Sequence, residues 1–186
     1  MSRVTIAILV FLTLTLSADV GKTEKNIGET VYVGTYEGVI NPVTAEYINH
    51  VLTLAQEDGA AAVVIRLDTP GGLDTSMRLI IKDITASPIP VIVYVSPSGG
   101  RAASAGVTHR RSPGTNVGAA HPVAMGGGEM DAVMKAKVEN DATAYIKSIA
   151  EKRGRNVQWA EEAVRKSVSV TEREALSLKV IDLIAD

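Results

Sequence analysis

Apolar and polar residues alternate from Val31 to Val39, VYVGTYEGV, which is the period of a β-strand. Asn41-Pro42 then reads as the cap and first residue of a helix. Val43, Tyr47, Val51 and Leu54 give that helix one apolar face through Gln56, and Gly59 supplies a stop. Ala61 to Leu67, AAVVIRL, is nearly all apolar, the pattern of a strand covered on both faces. Asp68-Thr69-Pro70-Gly71-Gly72 is a tight turn. A second helix follows over Asp74 to Ser87, with Met77, Ile80, Ile81 and Ile84 facing inward. Pro90 to Val95 is the next strand, entered by way of Ile89. Strand, helix, strand, helix, strand at these lengths implies a parallel sheet with right-handed βαβ crossovers.

The pattern changes after residue 106. Val107 to Pro113, VTHRRSP, is polar and basic. Burying Arg110 and Arg111 unpaired would cost several kcal/mol each, so an irregular, solvent-exposed connection is expected there, not a buried strand of the central sheet. Gly114 to Pro122 reads as a loop, and Gly126-Gly127-Gly128 as a mobile stretch. A long amphipathic helix is expected over Asp131 to Lys152, closed by Gly154, and another over Val157 to Arg165. Ser167 to Val170 is extended. Thr171-x-x-Glu174 is a capping box for a short last helix, and Val180 to Ile184 closes as a strand.

At the amino terminus, Arg3 is followed by an uncharged run from Val4 to Leu16. Crossing a bilayer takes about 20 residues, so the run suits a signal-peptide core, with a membrane anchor as the alternative. Residues 1–18 are assigned to that segment, 19–29 to a polar linker, and 30–186 to one folded domain. The expected location is exported or membrane-associated, on the extracytoplasmic side.

Composition narrows the function classes. The 186 residues are 46% hydrophobic, with a mean hydropathy of +0.15, so the chain can build a core. Aromatics are 4% and the net charge is −2 with no basic block, which argues against a nucleic-acid partner. There is no cysteine, which excludes disulfides, a thiol nucleophile and Cys-ligated zinc. His50, His109 and His121 have no metal-ligand spacing, and no metal or cofactor is expected.

The chemistry centres on GGRAASAG, Gly99 to Gly106, with Ser104 hemmed by Ala102, Ala103, Ala105 and Gly106. A nucleophile on a strand-to-helix turn needs small neighbours, because the substrate carbonyl must approach within about 3 Å. A helix starting at the serine would aim its free N–H groups at that carbonyl. A small-residue packing turn has the same composition. The turns at Gly71-Gly72 and at Ser104 both fall at carboxyl ends of neighbouring parallel strands, the edge where ligands bind. There the N–H groups of Gly72 and Ala105 can converge as an oxyanion hole. A lysine is the candidate base. Lys135 has Asp131 and Glu139 four residues to either side, the look of an ion-paired surface lysine. Lys137 lies beside Val133, Ala144 and Tyr145, where desolvation favours a neutral amine. A lysine whose stem lies along apolar surface with its amine in water fits that spacing equally well.

DTPGG, then AASAG, then PGTNVGAAHP, then Lys137 eight residues before YIKS, together resemble the NfeD-type membrane-bound serine proteases, the stomatin operon partner proteins. The resemblance runs from Thr30 to the end of the chain. It implies an α/β, crotonase-like (Clp protease-like) fold with a mostly parallel sheet. It also implies a serine endopeptidase with Ser104 as nucleophile and Lys137 as general base. Gly72 and Ala105 would form the oxyanion hole, with Gly71 shaping the turn. The implied substrate is a hydrophobic peptide segment, such as the C-terminal region of a stomatin-like membrane protein, and the implied assembly is a homodimer. Members of that family continue into transmembrane helices and a small β-barrel domain. They also carry a fuller helix and strand after AASAG, where this chain has nine residues between Ser104 and Gly114. That shortening leaves a non-catalytic, partner-binding relative as the alternative. A crotonase-type acyl-CoA enzyme, using the same oxyanion geometry without a serine, is a further rival.

Overall fold

A computed structural model describes residues 30–103, 110–111, 114–122 and 131–185. The chain runs β1 (Val31–Glu37), α1 (Pro42–Glu57), β2 (Ala62–Asp68), α2 (Asp74–Ala86), β3 (Val91–Val95) and β4 (Arg101–Ala103). It continues through β5 (Arg110–Arg111), β6 (Asn116–Gly118), α3 (Ala132–Lys152), α4 (Val157–Arg165), β7 (Ser169–Thr171), α5 (Glu172–Ser177) and β8 (Leu183–Ile184). The main sheet has the order β1-β2-β3-β5-β8, and each of its pairings is parallel. A smaller sheet has the order β4-β6-β7, with β4 and β6 parallel and β7 antiparallel.

The two βαβ units follow the expected pattern. Val63 stands opposite Val91, Ile65 opposite Val93 and Leu67 opposite Val95, so one face of β2 and β3 is continuously apolar. That face is buried against Ala45, Ile48, Leu52 and Ala55 of α1 and Ile80 of α2. The other face of β2 is not covered throughout: Arg66 is exposed there, its Nε donating to Ser96 Oγ at 3.2 Å. The continuous apolar run therefore marks one buried face and one half-covered face.

α1 is capped as its sequence indicates. Asn41 accepts from Thr44 N–H at 3.0 Å, and the Thr44 hydroxyl accepts from Asn41 N–H. Its buried face is not the expected one. Val43 is 72% exposed, and Tyr47 and Leu54 are also on the outside, while Thr44, Ala45, Ile48, Leu52 and Ala55 face the sheet. Small side chains at 44, 45 and 55 let the helix sit close to the strands, and close packing outweighs bulk hydrophobicity at single positions. In α2, Ile80 is buried and Met77 and Ile84 pack partly against the core, as expected.

Three corrections fall in the second half. Arg110 and Arg111 do form a strand: β5 pairs with Tyr94 and Val95 of β3 on one side and with Leu183 and Ile184 of β8 on the other. Ladder hydrogen bonds are made by the backbone, so the unpaired edges of β3 and β8 can be satisfied by two basic residues. The stretch expected to be a loop, Gly114 to Pro122, contains β6, which holds the small sheet together. The expected closing strand over Val180 to Ile184 shrinks to Leu183–Ile184. Val180 and Ile181 are instead buried in a cluster with Val117, Trp159, Ala163 and Ala175.

The helices α3, α4 and α5 form where expected. Asp131 caps α3 by accepting from Val133 and Met134 N–H, both at 2.9 Å. Thr171 and Glu174 form the reciprocal capping box of α5. α3 packs along α4 through Ile146, Ala150, Ala160 and Val164. No helix of the described residues is long and apolar enough to cross a membrane. Residues 1–29, the helix expected to begin at Ser104, and the Gly126–Gly128 stretch lie outside the described residues.

Candidate active site

The turn after β2 is fixed by its own sequence. Thr69 is fully buried, and its hydroxyl accepts from Gly71 N–H at 3.0 Å. Pro70 sets the chain direction, and Gly71 takes φ +101°, a conformation that L side chains rarely adopt. Ile40 then clasps the turn from the carboxyl end of β1. Its N–H donates to Gly71 O, and its carbonyl accepts from Leu73 N–H, both at 2.9 Å. In a parallel bridge of this kind the intervening residue, Gly72, turns its own N–H away from Ile40. Gly72 is exposed, and among the described residues its N–H meets no acceptor. A Cβ on Gly72 would lie 2.0 Å from Ile40 O, so only glycine fits.

The strand that leads to the serine motif is pinned beside this turn. Thr69 N–H donates to Arg101 O at 2.7 Å, and Ala103 N–H donates to Thr69 O at 3.1 Å. Asp68 accepts from Arg101 N–H at 2.9 Å. Ala103, the residue before Ser104 in the chain, is therefore one hydrogen bond from the Gly71-Gly72 turn. Ser104 and Ala105 themselves lie outside the described residues.

Gly71 and Gly72 form part of the floor of a mostly apolar cleft of about 680 Å³ between the sheet layer and the α3–α4 layer. Ile40, Met77 and Ile81 line one side; Val138, Ala142 and Tyr145 of α3 line the other. His121 is at its edge, with Nδ1 3.0 Å from Val164 O. A carbonyl only accepts, so Nδ1 carries the proton. A second hollow of about 310 Å³ adjoins the first, sharing Asp74, Pro122, Val138 and Ala142 with it. Lys137 lines this second hollow with Arg78 and Asp141.

Lys137 thus shares a hollow with Asp74, two residues past Gly72, but it is exposed in the single chain, and Val133, four residues before it, is 65% exposed. The desolvated setting expected for Lys137 is absent from the described residues. Lys135 is exposed too, and it is not ion-paired among those residues: Asp131 is committed to capping α3, and Glu139 pairs with Arg165 at 3.1 Å.

Sequence reasoning missed Arg78. Its Nε contacts Asp74 Oδ2 at 2.6 Å, its Nη2 contacts Asp141 Oδ2 at 2.5 Å, and its guanidinium carbon lies 4.2 Å from the centre of the Tyr145 ring. Partial burial works to lower its pKa, but the Asp74 and Asp141 carboxylates outweigh that and hold it above the ordinary arginine value. Burial raises the Tyr145 phenol, against the opposing pull of Arg78. The four-residue spacing of Asp74 and Arg78 was legible as a helix pair. The link to Asp141, 63 residues away, was not.

Comparison with known proteins identifies the fold and the family. The chain is 41% identical over 170 residues to the membrane-bound protease PH1510 of Pyrococcus horikoshii, covering 87% of this chain. It spans less than half, 38%, of that relative's length. Among solved structures, the 1510-N membrane protease specific for a stomatin homolog from Pyrococcus horikoshii matches with a TM-score of 0.70 and 39% identity, over 83% of this chain and 73% of that one. A lysine-to-alanine variant of the 1510-N stomatin-specific protease, in complex with a substrate peptide, matches with a TM-score of 0.77 and 40% identity, over 83% and 74% of the two chains. ClpP1 from Listeria monocytogenes shares the fold, with a TM-score of 0.66 at 20% identity over 83% of this chain and 91% of that one. The crotonase-like, Clp protease-like fold expected from the resemblance is therefore the fold of this chain. The model of the NfeD1b N-terminal domain matches residues 30–186 from end to end, and the chain belongs to that family.

Proposed function

We propose that the protein is a serine endopeptidase acting on apolar peptide segments, with Ser104 as nucleophile and Lys137 as general base. The observation that supports this most is the Gly72 N–H, which among the described residues has no acceptor, at the cleft floor beside the strand that leads toward Ser104. In this reading neutral Lys137 takes the Ser104 proton as Oγ adds to the scissile carbonyl. The resulting oxyanion is held by the N–H groups of Gly72 and Ala105, with Gly71 shaping the turn. The proton then passes to the leaving amine, and water releases the acyl group from Ser104.

The apolar lining of the cleft suits hydrophobic side chains of an extended peptide. The related 1510-N protease is described as stomatin-specific, so a stomatin-like membrane protein is the proposed substrate, cut in its C-terminal region as the family resemblance implies. Serine-to-alanine and lysine-to-alanine variants of that relative support a serine and a lysine as the reacting residue types. The proposed setting is extracytoplasmic, as a homodimer, with the 4–16 run as export signal or anchor.

One observation favours a second reading, a relative that binds such a peptide without cutting it: Lys137 is exposed in the single chain. Fluorophosphonate labelling separates the two. A competent enzyme labels, and Ser104→Ala abolishes both labelling and cleavage while leaving the melting temperature unchanged. An unlabelled wild-type chain that still binds the apolar peptide establishes the second reading.

A further inference from the structure

The proposed oxyanion donor and the proposed base stand on different layers of the molecule. Gly72 is in the turn that opens α2, while Lys137 is on α3, whose apolar side packs on α4. The cleft lies between the two layers. Arg78 spans the gap. It sits one helical turn beyond Asp74, which is two residues past Gly72, and its other arm reaches Asp141, one turn beyond Lys137. Its guanidinium plane also rests on Tyr145 of α3. We propose that Arg78 is the positioning residue of the site: it ties the helix of the oxyanion turn to the helix of the base, and it pairs with both carboxylates that share the base's hollow, offsetting one of their two charges. This rests on the Ser104–Lys137 reading above.

The charges around Lys137 explain why neutralisation matters. From α2 come Asp74 and Arg78; from α3 itself comes Asp141; from the segment before Pro122 comes His121, at the edge of the adjoining cleft. α4 directs its Glu161 and Arg165 elsewhere, to Lys147, Glu139 and Asn140. With Arg78 in place, a fixed cation pairs with both carboxylates and cancels one of their two charges. Without Arg78, Asp74 and Asp141 both favour the charged ammonium, which cannot accept the serine proton. Lysine cannot copy the fork that holds two carboxylates and a ring at once, but it keeps the positive charge.

The test is the pH dependence of fluorophosphonate labelling of the full chain, which needs no knowledge of the natural substrate, together with kcat and KM on a quenched apolar peptide. Arg78→Gln is expected to move the midpoint of the rising limb upward by about one pH unit, and to slow labelling about tenfold below it. KM should change less than twofold. Asp141→Asn in the wild-type background is expected to move the midpoint downward, and adding it to Arg78→Gln should return the limb toward wild type. Arg78→Lys should keep the midpoint and lose rate. A structural role alone would lower the rate at every pH and leave the midpoint in place; that result in Arg78→Gln overturns the proposal. If Arg78→Gln does not fold, an unmoved midpoint in Asp141→Asn overturns it equally. Labelling or cleavage that survives Lys137→Ala is a separate outcome, which removes the base assignment underneath.

Discussion

Gly72→Ala tests the turn on which the site is built. The added Cβ would lie 2.0 Å from Ile40 O, 2.6 Å from Ile40 N and 2.7 Å from Ile40 C. Each is a backbone atom, so no rotamer change relieves the clash. Gly72 does not have the positive φ of its neighbour Gly71, so the cost is steric and not conformational. The turn must part from Ile40, which endangers the Ile40 N–H···Gly71 O and Leu73 N–H···Ile40 O bonds. Ile40 is 2% exposed, so the groups set free have little water to turn to. At about 1–3 kcal/mol for each buried group left unpaired, the expected destabilisation is about 2–4 kcal/mol. For a domain of this size that lowers the melting temperature by about 6–12 °C. The Gly72 N–H moves with the turn, and loss of one oxyanion donor costs about 10²–10³ in kcat. Gly59→Ala is the control: its φ is +65° but nothing lies within 4 Å of the new Cβ, so only about 1–2 kcal/mol of backbone strain applies and activity is retained. Thermal melting and peptide cleavage, measured side by side, decide the matter. A Gly72→Ala protein that melts within 2 °C of wild type (an allowance of roughly half a kcal/mol) would refute the packing argument. One that is destabilised yet cleaves at the wild-type rate would refute the oxyanion role.

Lys137→Ala is expected to reduce cleavage by orders of magnitude and Lys135→Ala by little; the reverse order in kcat would show that the wrong face of α3 carries the base. Wild-type activity should rise with pH, since only a neutral lysine accepts the serine proton. Leu52→Ala should cost about 2–4 kcal/mol in denaturant unfolding and Leu54→Ala under 1, because Leu52 faces the sheet and Leu54 faces water. Glu161 is held below the ordinary glutamate value by Lys147 and then Arg165, and Glu174 by the Thr171 backbone N–H and then its hydroxyl. Their stabilising effect is present above the unfolded value of about 4.3 and is lost as pH falls through their lowered folded values. A melting curve that falls less steeply below pH 4.5 (roughly that unfolded value) in the Glu161→Gln, Glu174→Gln double variant checks this.

What the sequence determined is what depends on neighbours in the chain. The caps at Asn41, Asp131 and Thr171 lie within four residues of the groups they bind, and the βαβ alternation from Val31 to Val95 is a local pattern that allows essentially one hand and one sheet. The DTPGG turn was legible for the same reason, since the Thr69 hydroxyl bonds Gly71 two residues on and Pro70 and Gly71 set the backbone between them. Tertiary structure decided which face of α1 is buried, because fit against the strands selected Thr44, Ala45 and Ala55 over the bulkier Val43 and Leu54. It also decided that Arg110 and Arg111 form a strand, because the demand came from the unpaired backbones of Tyr94–Val95 and Leu183–Ile184, not from the side chains of the segment itself. The Arg78 link from Asp74 to Asp141 is of the same kind. A guanidinium joins carboxylates 67 residues apart in the chain only once two layers of helix are stacked, and no spacing along the sequence encodes that distance.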